Sequence, residues 1–378
     1  MKIGLLTFHI AQNYGAFLQA YALQYTLTNM GHDTEIINYQ PEYLITPYHT
    51  RTAFPSWKQS KNIIQYSLSI PCWIYNNWVN YTPRMKRQRY FSDSRKLLFI
   101  TSKTYYSYAE FYDNIPIYDK YIAGSDQIWN PNITGNKLDP AYFFAFVDET
   151  SKIASYGASM IQDSVSNEHI FEFKRLLAHV GTISVREISN IKYIESLCNK
   201  PVINVVDPTL LLLDNDWKKI ASCPKSCPSN FVLYYDFTNN PTIKVLARRV
   251  AKKLNLPIVC ISIRMTGYNS LSRNIYVRPE EFVWYFNHAS FIVTNSFHGT
   301  MFSIINKKPF YVIASYPTNI RIVDHLSLLG LLDRVYDSGD EVKEINIDID
   351  YDSVYKKLNI LREKSLDYLR EITIETTS

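Results

Sequence analysis

The chain has 378 residues, 46% of them hydrophobic and 20% charged, which suits a soluble globular protein of two ordinary domains. A net charge of +5 is a mild excess. It fits an anionic small molecule or an anionic membrane surface, and without a basic stripe tied to a recognition motif it argues against nucleic acid. Five cysteines, of which only Cys223 and Cys227 are close neighbours, make no disulfide framework, and no further Cys or His cluster completes a metal site.

In chain order, the run KIGLLTF (2–8) predicts a buried strand rather than a signal peptide. Residues 14–31 follow with Phe17, Leu18, Tyr21, Ala22 and Tyr25 at helical spacing and Gly31 as a stop. TEIINY (34–39) reads as a second strand, so the chain opens β-α-β, the signature of a parallel sheet with crossover helices. From about 41 to 104 the alternation breaks. Residues 72–91 mix Trp, Tyr and Ile with Arg84, Lys86, Arg87 and Arg89. The expectation here is a helical insertion packing its aromatics into the first domain, with a peripheral membrane face as the other reading.

Strands resume at 118–125, 152–159, 182–187 and 201–206, with helices at 167–180 and 188–197. A second series begins near Phe231, with strands at 231–237, 257–263, 291–295 and 309–313. Helices at 241–254, 279–289, 298–307 and 320–329 alternate with them, and an amphipathic helix at 351–370 closes the chain. The expected fold is α/β: two Rossmann-like domains facing a cleft, 1–206 and 207–345, with a trailing helix in 346–378. No run approaches the ~18–20 apolar residues of a membrane span. The expected setting is cytoplasmic and reducing, with peripheral contact at the inner face of the membrane under the second reading of 72–91.

Ligands of open α/β sheets sit at the carboxyl ends of strands. The loops there carry Asn13, Tyr14 and Gly15; Asp126, Gln127 and Trp129; Arg186; Asp207; Arg264; Ser296, His298, Gly299 and Thr300; and Arg321. Helix starts with hydroxyl donors and nearby arginines predict a small, multiply anionic ligand. There is no GxxxxGK[ST] loop and no GxGxxG after a strand, which speaks against ATP and NAD. Each residue also has a purely structural reading. Ser296 caps a helix, His298 is a satisfied buried histidine, Asp126 and Asp207 form turns, Asn13 with Gly15 makes a tight turn, and Arg264 is surface. Arg186, flanked by apolar strand positions, demands a partner.

The motifs NYGAFLQAYAL, YIAGSDQIWNP, SYGAS, SVRE, VVDPTLLL, TNSFHGTMFSIINKKPF and NIRIVDHLSLLGLLDR fall in order from Asn13 to Arg334. In these the chain resembles the polysaccharide pyruvyl transferase family. The resemblance implies a fold similar to the B-type glycosyltransferases, with 1–206 on the acceptor side and 207–345 on the donor side. It also implies transfer of pyruvate from phosphoenolpyruvate to a sugar, a hexose or N-acetylhexosamine, free or lipid-linked. The product is a cyclic ketal in surface polysaccharide, exopolysaccharide or capsule biosynthesis. No cofactor and no metal are implied.

By the same resemblance His298, Arg186 and Arg321 fall on family positions, Arg186 as a donor-binding group; the reading of their chemistry makes His298 the candidate general acid and Arg186 and Arg321 the candidates to hold donor charge. Many members read Arg-x-His where this chain has Ser296-Phe297-His298, so either Arg186, Arg264 or Arg321 replaces that charge or the chain does without it and uses another donor or acceptor chemistry. Asp126 is the candidate base for an acceptor hydroxyl. Asn13 and Gln127 are candidate sugar partners, and Tyr14 and Trp129 candidate stacking surfaces. Two other functions fit the same architecture: a nucleotide-sugar glycosyltransferase of the same pathway, and a non-catalytic subunit of a polysaccharide assembly complex.

Overall fold

A computed structural model describes residues 1–49, 63–160, 164–236, 241–262, 274–313, 320–336 and 345–374. The opening β-α-β forms as β1 (Lys2–Leu6), α1 (Tyr14–Asn29) and β2 (Asp33–Tyr39). A short helix α2 (Glu42–Ile45) and a long helix α3 (Ile63–Leu98) then lead to β3 (Thr101–Tyr105). Helix α4 (Glu110–Asp113), β4 (Lys120–Ala123) and β5 (Ile153–Ser155) complete a parallel sheet of order β3-β2-β1-β4-β5. Beyond β5, α5 (Asn167–His179), β6 (Ile183–Val185), α6 (Ile191–Cys198) and β7 (Val202–Asn204) extend this half. β6 and β7 pair in parallel, and single bridges from Ala154 to Thr182 and from Ala158 to Val185 join them to the main sheet.

Strand β3 lay hidden in the stretch where the pattern broke. It is an edge strand with alternating exposed and half-buried residues, TSKTY, and an edge needs little apolar character.

Helix α7 (Asp214–Ile220) follows β7, and a second parallel sheet is built from β8 (Val232–Asp236), β9 (Ile258–Ser262), β10 (Asn274–Ile275), β11 (Phe291–Thr294), β12 (Phe310–Ile313) and β13 (Val335–Tyr336). Its order is β10-β9-β8-β11-β12-β13. Helices α8 (Pro241–Leu254), α9 (Pro279–His288), α10 (Phe297–Ile305) and α11 (Ile320–Leu329) cross between its strands. Both sheets have the all-parallel order expected of an α/β protein, and their central strands are continuous apolar runs because both faces are covered.

The two halves share one core. Helix α1 is buried almost all round rather than along one stripe, because it is wedged between its own sheet and helices α9 and α10 of the second half. Tyr14 stacks on Phe282 with ring centroids 4.6 Å apart, and its hydroxyl donates to the Val277 carbonyl at 2.9 Å. The last helix, α12 (Tyr351–Ile372), ties the halves together. At its start the Tyr351 hydroxyl donates to the Lys308 carbonyl in the second half. Further along, Arg362 Nε donates to the Leu210 carbonyl at 2.7 Å, Ser365 Oγ accepts from the Val206 amide at 3.0 Å, and Tyr368 donates to the Ser155 carbonyl at 2.7 Å.

The insertion corrects one expectation. The later part of α3 packs into the core through Arg87, Phe91 and Ser94. The aromatics of its earlier part do not: Trp78 is 79% exposed, and Ile74, Tyr75 and Tyr81 also face solvent. No helix among the described residues is long and apolar enough to cross a membrane.

Candidate active site

The carboxyl ends of β4, β6, β7 and β11 and the start of α11 converge on one buried cluster with Arg186 at its centre. Arg186 and its acidic partners have fully buried side chains. Its Nη1 donates to Asp207 Oδ2 at 2.6 Å and to Ser125 Oγ at 3.3 Å, and its Nε donates to Glu187 Oε1 at 3.3 Å. The demand for a partner, expected from its apolar neighbours in sequence, is met by the next residue and by the end of the adjacent strand. Burial alone would lower the Arg186 pKa, but the carboxylates of Glu187 and Asp207 reverse the sign and raise it.

Asp207 follows β7 and is more than a turn former. Its Oδ1 accepts from the Thr209 amide at 3.0 Å and the Thr209 hydroxyl at 2.6 Å, which is the expected turn chemistry. Its Oδ2 takes Arg186 and lies 3.6 Å from His298 Nε2, an ion-pair distance rather than a hydrogen bond. Burial would raise this carboxyl. His298 and Arg186 outweigh it and hold the pKa far below the usual carboxylate range. Asp207 therefore links the first half's arginine to the second half's histidine.

His298 sits in the first turn of α10, whose N-cap Ser296 accepts from the Gly299 amide at 3.3 Å. Its ring lies against α1 of the other half. A Cβ built on Gly15 would stand 2.0 Å from His298 Nδ1, so only glycine admits the imidazole there. Gly15 thus serves a close approach between the halves, in a helix turn that Asn13 caps by accepting from the Gly15 and Ala16 amides.

Phe297 fills the place between the arginines. Arg186 and Arg321 both lie against its ring, their guanidinium carbons 4.6 and 5.2 Å from the centroid. His325, one turn beyond Arg321, meets the same ring edge-on at 5.1 Å and accepts no charge easily, since burial and then Arg186 lower its pKa. Burial, and then the neighbouring Arg186, lower Arg321 to about 10. Among the described residues, three buried side-chain nitrogens in this cluster have no hydrogen-bond partner: Arg186 Nη2, Arg321 Nε and His298 Nε2, the last at ion-pair distance from Asp207. Buried donors without partners are costly, and here they gather where strands of both halves end.

The remaining sequence candidates divide. Asp126 is nearly buried, in a left-handed backbone conformation at φ 83, with Oδ1 accepting from the Gln127 amide at 2.9 Å. It is close enough to Arg186 and Arg321 to shift both. Asn13 and Gln127 are part-exposed, and Gln127 accepts from Asn130 at 2.8 Å.

Other candidates are spent on structure. Trp129 is fully buried, stacked on Phe143 at 5.3 Å with its indole N–H toward the Tyr142 carbonyl, so it offers no face to a sugar. Tyr14 is occupied at the inter-half contact already described. Thr300 gives both its amide and its hydroxyl to the Ser296 carbonyl. The space a Cβ would need at Gly299 is taken by Thr294 and Tyr235, so this glycine serves helix-to-strand packing rather than ligand approach. Arg264 lies outside the described residues. Glu187, Ser125 and the functional side of Gly15 went unread in sequence. Only the need of Arg186 for a partner pointed toward Glu187.

The profile of the family described as polysaccharide pyruvyl transferase matches residues 13–316, most of the chain and every residue of this cluster outside α11. The chain belongs to that family. It is a family of transferases, and its match begins at the Asn13 cap and ends between β12 and α11. No curated protein matches this chain. Among solved structures it is similar to a putative UDP-N-acetylglucosamine 2-epimerase from Listeria monocytogenes at 7% identity and TM-score 0.47, covering 97% of this chain and 90% of that one. It is also similar to the UDP-GlcNAc 2-epimerase of Methanocaldococcus jannaschii at 12% identity and TM-score 0.46, covering 99% of each. The E. coli ADP-heptose heptosyltransferase II aligns at 11% identity and TM-score 0.38, covering 96% of this chain and 99% of that one.

Proposed function

We propose that this protein transfers pyruvate from phosphoenolpyruvate to two hydroxyls of a sugar, forming a cyclic ketal, and that the Arg186–Phe297–Arg321 cluster is its donor site. The observation that carries this is the pair of buried guanidinium nitrogens without a hydrogen-bond partner among the described residues, Arg186 Nη2 and Arg321 Nε, with His298 beside them, in a member of this family. Phosphoenolpyruvate presents a phosphate and a carboxylate on adjacent groups, and an unpaired guanidinium edge is suited to either. The start of α10 adds the positive end of a helix dipole beside His298.

The chemistry follows in three steps. A proton adds to the methylene carbon of the enol and makes it a methyl, leaving an oxocarbenium-like centre at the phosphate-bearing carbon. One sugar hydroxyl bonds to that carbon and phosphate departs with its oxygen. The second hydroxyl then bonds to the same carbon and closes the ring. Of the two hydroxyl protons, one replaces that delivered to the methyl and the other leaves with phosphate. His298 is the proton donor, oriented by Asp207 on one side and Gly15 on the other. Arg321 and Arg186 hold the charge of the donor and of the departing phosphate. Asp126 is placed to take the proton of an acceptor hydroxyl, with Asn13 and Gln127 as part-exposed hydrogen-bond partners for the sugar.

The test is phosphate release from phosphoenolpyruvate with a panel of free and lipid-linked hexose and N-acetylhexosamine acceptors, run beside a panel of nucleotide sugars. Phosphate release that requires both phosphoenolpyruvate and a sugar supports the assignment. Turnover of a nucleotide sugar alone, or of neither donor, overturns it.

A further inference from the structure

The earlier part of α3 carries an apolar stripe that is largely exposed among the described residues. Ile70, Ile74, Trp78, Tyr81 and Met85 follow one another at spacings of four, four, three and four, which places them on one helical face. Trp78, Tyr81, Ile74 and Met85 are exposed, as is Ile63 one heptad before Ile70. An exposed row of large apolar side chains on one face marks a contact surface rather than ordinary surface variation.

The charge around the stripe says what it contacts. Between Ile63 and Ser92 there is no Asp or Glu and there are four basic residues, Arg84, Lys86, Arg87 and Arg89. Arg87 is turned inward and donates to the Gln12 carbonyl. Lys86 and Arg89 are exposed and Arg84 is part-exposed. The exposed pair is held only loosely: Arg89 lies 3.7 Å from Asp93 on an exposed face, and Lys86 lies over the Tyr90 ring. Two prolines, Pro71 and Pro83, and the basic end rule out a spanning role for this helix. A helix with Trp, Tyr and Ile on one face and basic residues at one end is suited to lie in the headgroup region of a bilayer.

We infer that the Ile74–Trp78–Tyr81–Met85 face of α3, with Arg84, Lys86 and Arg89 at its end, is a peripheral docking surface for an anionic lipid bilayer. From Ile63 to Met85 the stripe runs about 33 Å along the helix axis. Pairing with a second copy of the chain through this face is disfavoured, since it would bring like charges together without an acidic residue on the stripe to receive them. The inward side of the same helix holds the loop beside the candidate site: Arg87 donates to Gln12 and Arg95 to the Ile10 carbonyl at 3.3 Å. Docking by this face is independent of the transfer reaction proposed above.

The test is flotation of the full-length protein with phosphatidylcholine vesicles, with and without phosphatidylglycerol, alongside sedimentation velocity without lipid. Expected is binding to the phosphatidylglycerol vesicles that weakens with salt and falls about tenfold in Trp78→Glu. The combined variant Arg84→Glu, Lys86→Glu and Arg89→Glu should abolish it, through a different set of contacts. Unchanged melting temperatures show that the variants fold. Absence of vesicle binding by the wild type, or binding that survives both variants, overturns the inference. A wild-type dimer that Trp78→Glu converts to monomer, without vesicle binding, assigns the face to self-association instead.

Discussion

Gly15→Ala tests the geometry of the site without assuming any reaction. At an ordinary helix position this change stabilises by about 1 kcal/mol, because alanine has the higher helix propensity. Here the added Cβ would stand 2.0 Å from His298 Nδ1, 2.4 Å from Cγ and 2.7 Å from Cε1. Real contacts of this kind need roughly 3.5 Å, so the ring or the helix must move by more than 1 Å. Both are packed: α1 is wedged between the halves, and His298 is nearly buried between Phe297 and Asp207. Overpacking of this order costs about 1–3 kcal/mol, enough to cancel the propensity gain and reverse its sign. The measurement is urea unfolding of wild type, Gly15→Ala, His298→Ala and the double variant. With the imidazole gone the alanine meets open space, so in the His298→Ala background Gly15→Ala should be neutral or stabilising. The coupling between the two should be about 1–3 kcal/mol. An equal effect of Gly15→Ala in both backgrounds would refute the claim that this glycine exists to admit the histidine. In wild type the same variant should reduce turnover about 100-fold, since a 1 Å misplacement of a catalytic group has that order of effect.

Four further outcomes are expected. His298→Ala should abolish phosphate release while the protein still unfolds cooperatively in urea; near-wild-type activity would remove its role as proton donor. Asp207→Asn should destabilise by about 3–5 kcal/mol, because Arg186 would lose its closest carboxylate in a fully buried setting. As the folded-state pKa of Asp207 is depressed, its contribution is present above the unfolded value near 4 and is lost as pH falls below it, so wild type and variant should converge in stability under acid. His9 is opposite in charge type: burial lowers it to about 4, so between pH ~6.5 and 4 the unfolded chain binds the extra proton and stability falls with acidification. Replacing His9 by Asn should flatten that part of the curve, read by thermal melts across the window.

What the sequence could and could not convey follows from range. Strand and helix order was legible nearly throughout, since β8, β11 and β12 are near-continuous apolar runs, broken only at their last residues by Asp236 and Thr294, and α5 and α8 are amphipathic. Their periodicity is local. Strands at sheet edges were not legible: β3 is polar because one side of it faces water, and β10 and β13 are two residues each. Within the site, His298, Arg186 and Arg321 were legible as strand-end or helix-start residues, and they do meet. The stacking roles given to Tyr14 and Trp129 failed for one reason. An aromatic after a strand has the same sequence signature whether it turns toward a ligand or into the core, and Phe282 and Phe143, which claim them, are distant or unremarkable in sequence. Gly15 and Asp207 have their decisive partners 283 and 91 residues away at His298, a separation that turn chemistry cannot signal.

The missing arginine of the Arg-x-His motif can now be placed in an electrostatic argument. Arg186 is already compensated by Asp207 and Glu187, so its charge is largely committed to the fold. Arg321 forms no ion pair among the described residues and faces Phe297 instead, with its Nε unpartnered. Burial and then Arg186 lower its pKa to about 10, which corresponds to about 3 kcal/mol of cost for keeping that cation in place. Such a cost is retained where a bound anion offsets it. Arg321→Met keeps the aliphatic stem against the ring and removes the charge, so it should raise the melting temperature and weaken phosphoenolpyruvate binding by tenfold or more. Arg186→Met should do the reverse on stability, because it leaves two buried carboxylates without a cation. Calorimetric titration with phosphoenolpyruvate and thermal melts of both variants separate the two roles. An Arg321→Met protein that melts several degrees lower, with donor affinity intact, would return the donor charge to Arg186 and make Arg321 a structural residue.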